Sequence, residues 1–176
     1  MDSKFDVIVI GSGPGGYVCA IRCSQLGLKT ACVESRPTLG GTCLNVGCIP
    51  SKSLLNSSAM YQKTQKEFNN LGIEISNAKI NLSKMMSNKD RSVLTLTKGV
   101  EFLFKKNKIT YLKGRGSITS QNTVTVIDKF EKKSNYQTKN IVISTGSVPT
   151  SLSGIKIDEK IVVSSTGALS FNKIPK

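Results

Sequence analysis

The stretch FDVIVIGSGPGG, from Phe5 to Gly16, joins an apolar run to closely spaced glycines. Such a run is typical of a β-strand that is buried on both faces. Gly11, Gly13 and Gly16 have the G-x-G-x-x-G spacing: the first allows a tight turn, the second lets the backbone approach a pyrophosphate, and the third lets a helix pack closely on the strand. The stretch therefore predicts the start of an α/β, Rossmann-like fold with a phosphate-binding turn.

The residues that follow extend this pattern into a strand–helix–strand unit. A helix is predicted up to Leu26, with a stop at Gly27, and its N-terminus presents N–H groups and a positive dipole end to a phosphate. A second strand, Lys29–Val33, leads to Glu34, about twenty residues beyond the glycines. A carboxylate there can accept hydrogen bonds from ribose hydroxyls and disfavours the 2′-phosphate of NADP. The unit predicts a dinucleotide site but leaves open whether NAD or FAD binds.

A second segment, GGTCLNVGCIPSK from Gly40 to Lys52, sets Cys43 and Cys48 five positions apart. A structural disulfide between them would close a very short loop and stabilise the fold little. A zinc site would need four ligands, and the chain has no histidine and no second cysteine pair of this kind. Redox chemistry is the remaining interpretation. The other three thiols fall among apolar residues and are predicted to be inert core groups: Cys19, Cys23 and Cys32.

Two long helices are predicted in the middle of the chain. The first runs from the caps around Ser51 and Ser53 to about Asn69, and the second covers Leu82–Lys106, where apolar residues recur near helical spacing. Neither carries chemistry of its own after Lys52. Both are therefore expected to be scaffold.

The last third of the chain is predicted to be mostly strands and turns. Apolar strands are expected at Ile109–Leu112 and Ile141–Ile143, with a hairpin turning at Gln121 and Asn122. A turn is expected at Lys113–Gly116 and a solvated loop at Lys129–Tyr136. Two turns carry candidate ligand contacts: Gly116, where an approach to adenine and an ordinary turn are equally consistent with the spacing, and the small residues Thr145, Gly146 and Ser147 at a strand end.

Composition narrows the classes of function. The net charge is +14, but 21 of the 25 basic residues are lysines and aromatic residues are few. Specific recognition of nucleic acid favours arginine forks, so nucleic acid is not the expected partner. No apolar run approaches the roughly 18–20 residues of a membrane span. A strand begins directly after MDSK with no targeting signal, which predicts a cytoplasmic location.

These motifs together resemble the N-terminal part of the dihydrolipoamide dehydrogenase family, within the pyridine nucleotide-disulfide oxidoreductases. The resemblance runs from about Phe5 to Lys176 and includes the glycine turn, Glu34, the cysteine segment, KGRGSI and VISTGSVP. It implies a central parallel sheet flanked by helices and a small antiparallel β-meander. FAD is the implied cofactor, and NAD⁺ the implied co-substrate.

The resemblance also implies roles for single residues. Cys43 would be the outer sulfur that meets the substrate dithiol, and Cys48 the inner sulfur that lies against the flavin. Lys52 would sit beside the flavin ring. The remaining implied FAD contacts are Gly11, Ser12, Gly13, Pro14, Gly15, Gly16, Glu34, Ser35, Arg36, Gly40, Gly41, Thr42, Cys43, Gly116, Thr145, Gly146 and Ser147.

The resemblance covers only part of such enzymes, and this shapes the expected domains and partners. Residues 1–150 are expected to form the FAD-binding domain with a redox-active disulfide, and residues 151–176 a connector toward a nicotinamide domain that is absent. The family's acid/base histidine is also absent, so this piece alone is expected to lack turnover with NAD⁺. The implied partners are lipoamide on acyltransferase or glycine-cleavage components, and a second copy of the whole enzyme. Three alternatives stay open: a glutathione- or mercuric-reductase-like enzyme, a stand-alone redox module, and a binding protein that has lost its cofactor.

Overall fold

The computed structural model describes residues 4–175 as a mixed α/β chain. Its strands are β1 Lys4–Ile10, β2 Thr30–Glu34, β3 Thr110–Lys113, β4 Arg115–Ser120, β5 Thr123–Ile127 and β6 Lys133–Ile143. Its α-helices are α1 Pro14–Gln25, α2 Gly41–Val46, α3 Cys48–Lys66, α4 Leu82–Lys106 and α5 Ser165–Ala168, with a 3₁₀ turn at Phe68–Leu71. In these residues no helix is long and apolar enough to cross a membrane.

All six strands form one sheet in the order β3-β2-β1-β6-β5-β4. Strands β3, β2, β1 and β6, which come first in this order, are parallel to one another. Strands β4, β5 and β6 form an antiparallel meander. The 11-residue strand β6 belongs to both parts, because Lys133–Gln137 pair with β5 and Gln137–Ile143 pair with β1. The fold class is therefore confirmed as a Rossmann-like parallel sheet with a β-meander.

The sheet is held by apolar residues of its central strands. β1 and β2 are buried on both faces, as expected for parallel strands covered by other elements, and Ile8, Val9 and Ala31 are fully inaccessible. Val124 and Val126 add the alternating inner face of β5. This core fixes the carboxyl ends of β1 and β2, from which the loops of the site leave.

The chain divides into two compact units. One takes in the chain up to Asn45 together with Leu96–Val148, and contains the whole sheet, α1 and most of α2. The other comprises Val46–Thr95 and the chain from Pro149 on, and contains α3, the first half of α4 and α5. Within the second unit, the buried ammonium of Lys89 donates to the carbonyl oxygen of Leu169 at 2.9 Å and so holds the end of α5.

Several predicted boundaries are confirmed and three are wrong. The bounds of α4 are as predicted, and β1, α1 and β2 agree within about two residues. α3 begins at Cys48 rather than near Ser51, because the hydroxyl of Ser51 donates to the Cys48 carbonyl inside the helix instead of capping it. The turn predicted up to Gly116 ends at Gly114, since β4 starts at Arg115, and the predicted loop at Lys129–Tyr136 ends where β6 begins.

Candidate functional site

The central feature of the site is a crevice at the carboxyl ends of two neighbouring parallel strands, β1 and β6. The chain leaves β1 for α1 and β2 on one side, while β6 lies on the other side, so the strand order reverses here. In open α/β sheets ligands bind at such a switch point. Ser144 donates its N–H to the carbonyl oxygen of Ile10 at 2.8 Å, which sets the exposed turn Thr145–Ser147 beside the glycine turn.

Two glycines of the turn are required by the fold itself. A Cβ at Gly11, whose φ is +101°, would overlap the carbonyl oxygen of Ser144. A Cβ at Gly16 would overlap the carbonyl oxygen of Gly11. Gly11 lets the turn pass close to the chain that follows β6, and Gly16 lets α1 pack tightly against the end of β1, as the G-x-G-x-x-G pattern predicts.

The fold does not require glycine at two other positions of the same turn, Gly13 and Gly15. At Gly13 the backbone has an ordinary φ of −64°, and a Cβ would be 3.9 Å from the nearest atom, the Cα of Gly41. At Gly15 a Cβ would be 4.0 Å from the Ser144 hydroxyl. The protein leaves this space open at the N-terminus of α1, which has Pro14 in its first turn, no acidic residue and no side-chain cap. A phosphate-bearing ligand approaching the backbone fits this cradle.

Glu34 at the end of β2 is buried, with 6 % of the residue exposed, and hydrogen bonds hold its carboxylate in a fixed orientation. One carboxylate oxygen accepts from the N–H of Ser12 at 3.1 Å and from its hydroxyl at 2.6 Å. The other accepts from the N–H of Arg36 at 2.8 Å and, more weakly, from the hydroxyl of Ser35 at 3.3 Å. The Ser35 bond is the one that a ribose hydroxyl could replace at least cost.

The segment that carries Cys43 is tied to the same turn. The N–H of Gly40 donates to both the carbonyl oxygen and the hydroxyl of Ser12, at 3.0 and 3.2 Å. A Cβ at Gly41, whose φ is +58°, would be 2.6 Å from the Cα of Gly13, so the two backbones pass in close contact. The side chain of Asn45 donates to the carbonyl oxygens of Leu39 and Gly41.

A residue that sequence reasoning missed is therefore Asn45, which fixes the start of α2. Its signal was only its position between the two cysteines. The exposed Thr42 accepts a hydrogen bond from the Arg36 guanidinium at 3.3 Å. Cys43 is half-buried within α2.

Two glycines, Gly114 and Gly116, lie at or just after the turn that follows β3, and the sequence analysis named only Gly116 as a candidate ligand contact. Gly114, with φ +148°, donates to the Glu34 carbonyl oxygen at 2.9 Å, and a Cβ there would overlap the carbonyl oxygen of Ile127. At Gly116 a Cβ would be 3.1 Å from Val33 and 3.2 Å from Ile10. Close packing of β4 over these strands accounts for Gly116.

A cavity of about 680 Å³ opens beside this turn and includes Glu34, Arg36, Lys113, Arg115, Asp128 and Phe130 in its lining.

In the second unit, Cys48 and Lys52 lie one helical turn apart on α3. Cys48 is the first residue of that helix and is exposed, and so is Lys52. Residues at i and i+4 share one face of a helix. The two side chains therefore leave the same face of α3 at its N-terminal end.

The three thiols predicted to be inert differ in their surroundings. Cys32 is fully inaccessible, and burial, with the nearby Glu34 and Cys19 charges, raises its pKa to about 12. Cys19 and Cys23 are only half-buried on α1, so the prediction of core positions is wrong for them. They lie on the helix face that the sheet does not fully cover.

Comparison with known proteins identifies the family. The model of the pyridine nucleotide-disulphide oxidoreductases matches residues 5–176. The chain belongs to this family. It is 54 % identical to the mitochondrial dihydrolipoyl dehydrogenase of Pisum sativum over 97 % of its length, and 55 % identical to that of Bos taurus. It is also 56 % identical to a protein of Vigna unguiculata named leghemoglobin reductase. The chain spans about a third of the length of these relatives.

Membership of this disulphide oxidoreductase family confirms the predicted family and its Rossmann-like fold. The predicted cytoplasmic location is wrong, because dihydrolipoyl dehydrogenases from Pisum sativum, Bos taurus and Schizosaccharomyces pombe are mitochondrial by name. That prediction used the residues ahead of β1. Targeting segments are separate from the fold, so the folded residues hold no signal for the compartment.

Proposed function

We propose that this chain provides the FAD-binding region of a dihydrolipoyl dehydrogenase, with residues 1–150 holding the cofactor and residues 151–176 leading onward. The observation that carries the proposal is the open cradle at Gly13 and Gly15, joined through Ser12 to both Glu34 and the segment that contains Cys43. Similarity to the Pisum sativum enzyme along nearly the whole chain supports this reading.

In the proposed complex, each part of the first unit has one task. The glycine turn and the N-terminus of α1 would bind the pyrophosphate, and Glu34 would accept a hydrogen bond from the ribose. Gly40–Cys43 would approach the pyrophosphate from the opposite side, and Thr145–Ser147 would complete the crevice. Lys52, on α3, would lie beside the flavin.

The proposed reaction is a thiol–disulfide exchange. A dihydrolipoyl thiolate attacks the Cys43 sulfur of a Cys43–Cys48 disulfide, and the Cys48 thiolate leaves. The second dihydrolipoyl thiol then displaces Cys43, so the substrate becomes a cyclic disulfide while both cysteines are reduced. FAD, when bound, supplies the route by which these two electrons reach NAD⁺ as a hydride.

The substrate class in this proposal is a dihydrolipoyl group carried on the acyltransferase of a 2-oxoacid dehydrogenase complex or on a glycine-cleavage component. The whole enzyme would act as a homodimer. Because relatives named leghemoglobin reductase are about equally similar, the electron donor is tested below.

The first experiment is a flavin titration of the purified chain, followed by absorbance during reduction with dihydrolipoamide. We expect FAD to bind and a long-wavelength band to grow as the Cys48 thiolate forms against the flavin. Cys43→Ser should show the band without reductant, and Cys48→Ser should never show it. Cys32→Ala, which removes a buried thiol outside the exchange, is the matched control.

Two outcomes would contradict the proposal. Failure of the chain to bind added FAD would remove the flavoprotein function and favour the reading as a binding protein. Bound FAD that is reduced by glutathione but not by dihydrolipoamide would favour a glutathione-reductase-like substrate.

A further inference from the structure

The half-buried thiols of Cys19 and Cys23 form a pair that the proposed function does not use. They lie on successive turns of α1, and their sulfurs are 4.0 Å apart. Burial, together with Cys23, raises the pKa of the Cys19 thiol. The pair therefore consists of two neighbouring thiols that lie outside the proposed exchange.

A disulfide does not suit this pair. Residues four apart on a helix have Cβ atoms about 5–6 Å apart, whereas a disulfide needs about 3.5–4.5 Å. Closing the bond would distort α1, which packs on β1 and β2. The two sulfurs can instead be bridged by an atom placed between them.

The separation of the sulfurs suits a three-coordinate metal ion. With metal–sulfur bonds of about 2.3 Å, sulfurs 4.0 Å apart subtend about 120° at the metal. Zinc in structural sites takes four protein ligands, and residues 4–175 hold no group of three or more Cys, Asp or Glu placed to bind a metal. Thiolates select Cu(I) among the common soft ions.

We propose that Cys19 and Cys23 form a two-thiolate site for a soft monovalent ion of the Cu(I) type, with an external small-molecule thiol in the third position. Binding releases one proton from each protein thiol to solvent and changes no oxidation state. The bis-thiolate site carries net negative charge. The sequence of α1 has no Asp or Glu to oppose that charge, and Arg22 adjoins Cys23.

The test measures Cu(I) binding in a chain whose two proposed exchange thiols are removed by Cys43→Ser and Cys48→Ser. Under anaerobic conditions, Cu(I) is offered as its bicinchoninate complex, and transfer to the protein is followed by loss of the chelate colour. We expect one Cu(I) per chain. Adding Cys19→Ala or Cys23→Ala should weaken binding roughly a hundredfold, because a chelate becomes a single thiolate.

Cys32→Ala in the same background is the matched control and should leave binding unchanged. Alanine favours helix, and the isosteric Cys19→Ser and Cys23→Ser variants repeat the test if an alanine variant unfolds. Copper-edge X-ray absorption should show a shell of sulfur neighbours. Three results would each overturn the proposal. These are Cu(I) affinity in the Cys19→Ala variant equal to that of its parent chain, a loss of affinity in Cys32→Ala as large as that in Cys19→Ala, and a copper shell without sulfur. None of these readouts depends on flavin.

Discussion

The glycine turn allows a sharp separation of glycines that serve the fold from glycines that serve a ligand. In Gly11→Ala, the new Cβ would overlap the Ser144 carbonyl oxygen at a backbone φ of +101°. The left-handed backbone costs about 1–2 kcal/mol and the overlap about 1–3 kcal/mol. We therefore expect the free energy of unfolding to fall by roughly 2–5 kcal/mol in the flavin-free protein.

Gly13→Ala should do the opposite. Its Cβ would be 3.9 Å from the nearest atom at an ordinary φ, so the lost freedom of the unfolded chain should stabilise the flavin-free fold by about 0.4–1 kcal/mol. The same Cβ occupies the space proposed for the pyrophosphate. Overpacking of about 1–3 kcal/mol there would weaken FAD binding roughly 5- to 150-fold.

Urea unfolding of the flavin-free variants and fluorescence titration with FAD measure the two effects separately. Gly15→Ala, which also has room, is a second member of the ligand class, and Gly16→Ala a second member of the fold class. Equal FAD affinity for Gly13→Ala and the unchanged chain would refute the cradle. Equal loss of stability in Gly11→Ala and Gly13→Ala would refute the steric reasoning.

Three further predictions follow from single contacts. Ser12→Ala should weaken FAD binding more than Ser12→Thr, since only alanine leaves Glu34 without its 2.6 Å donor; equal titration curves would contradict this. Because the raised pKa of Cys32 is about 12, unfolding free energy should fall between pH 9 and 12, by at most about 1.4 kcal/mol per pH unit, and Cys32→Ala should flatten this slope in alkaline urea titrations. Lys89→Met should speed hydrogen exchange around Leu169 and trypsin cleavage at Lys173, because the Leu169 carbonyl loses its donor; unchanged protection would show that the tether is dispensable.

The first strand–helix–strand unit was predictable because local and tertiary preferences agree there. β1 and β2 are mostly apolar and buried, Gly27 with φ +84° follows the end of α1 as the sequence indicated, and the amphipathic pattern of α4 predicted both of its ends. The resemblance added the meander and the two cysteine roles. Neither the meander nor the cysteine roles could have been predicted from hydrophobic periodicity alone.

The failures occur where tertiary contacts replace local signals. α3 starts after Gly47 without a side-chain cap, so the serines that follow misled the prediction of its first residue. The start of β6 is polar because that half of the strand alternates between exposed and half-buried positions. Its inner face is marked only by Tyr136, whose ring is tilted by 54° against that of Phe5 at a centroid distance of 6.2 Å. Asn45, through its side-chain amide, and Gly114, through its N–H, bind backbone carbonyl oxygens that no sequence pattern specifies.

Strand β6 has a consequence for how the protein is made. β1 is synthesised before the other described elements, yet one of its two neighbours in the sheet is β6, and the bond from the Asn140 side-chain amide to the Asp6 carbonyl spans 134 residues. At a translation rate of roughly 5–20 residues per second, the nascent β1 waits on the order of ten seconds with an open edge. During that interval the ribosome-bound chain has its glycine turn but no completed crevice, so cofactor loading must follow, rather than guide, the arrival of the sheet's fourth parallel strand.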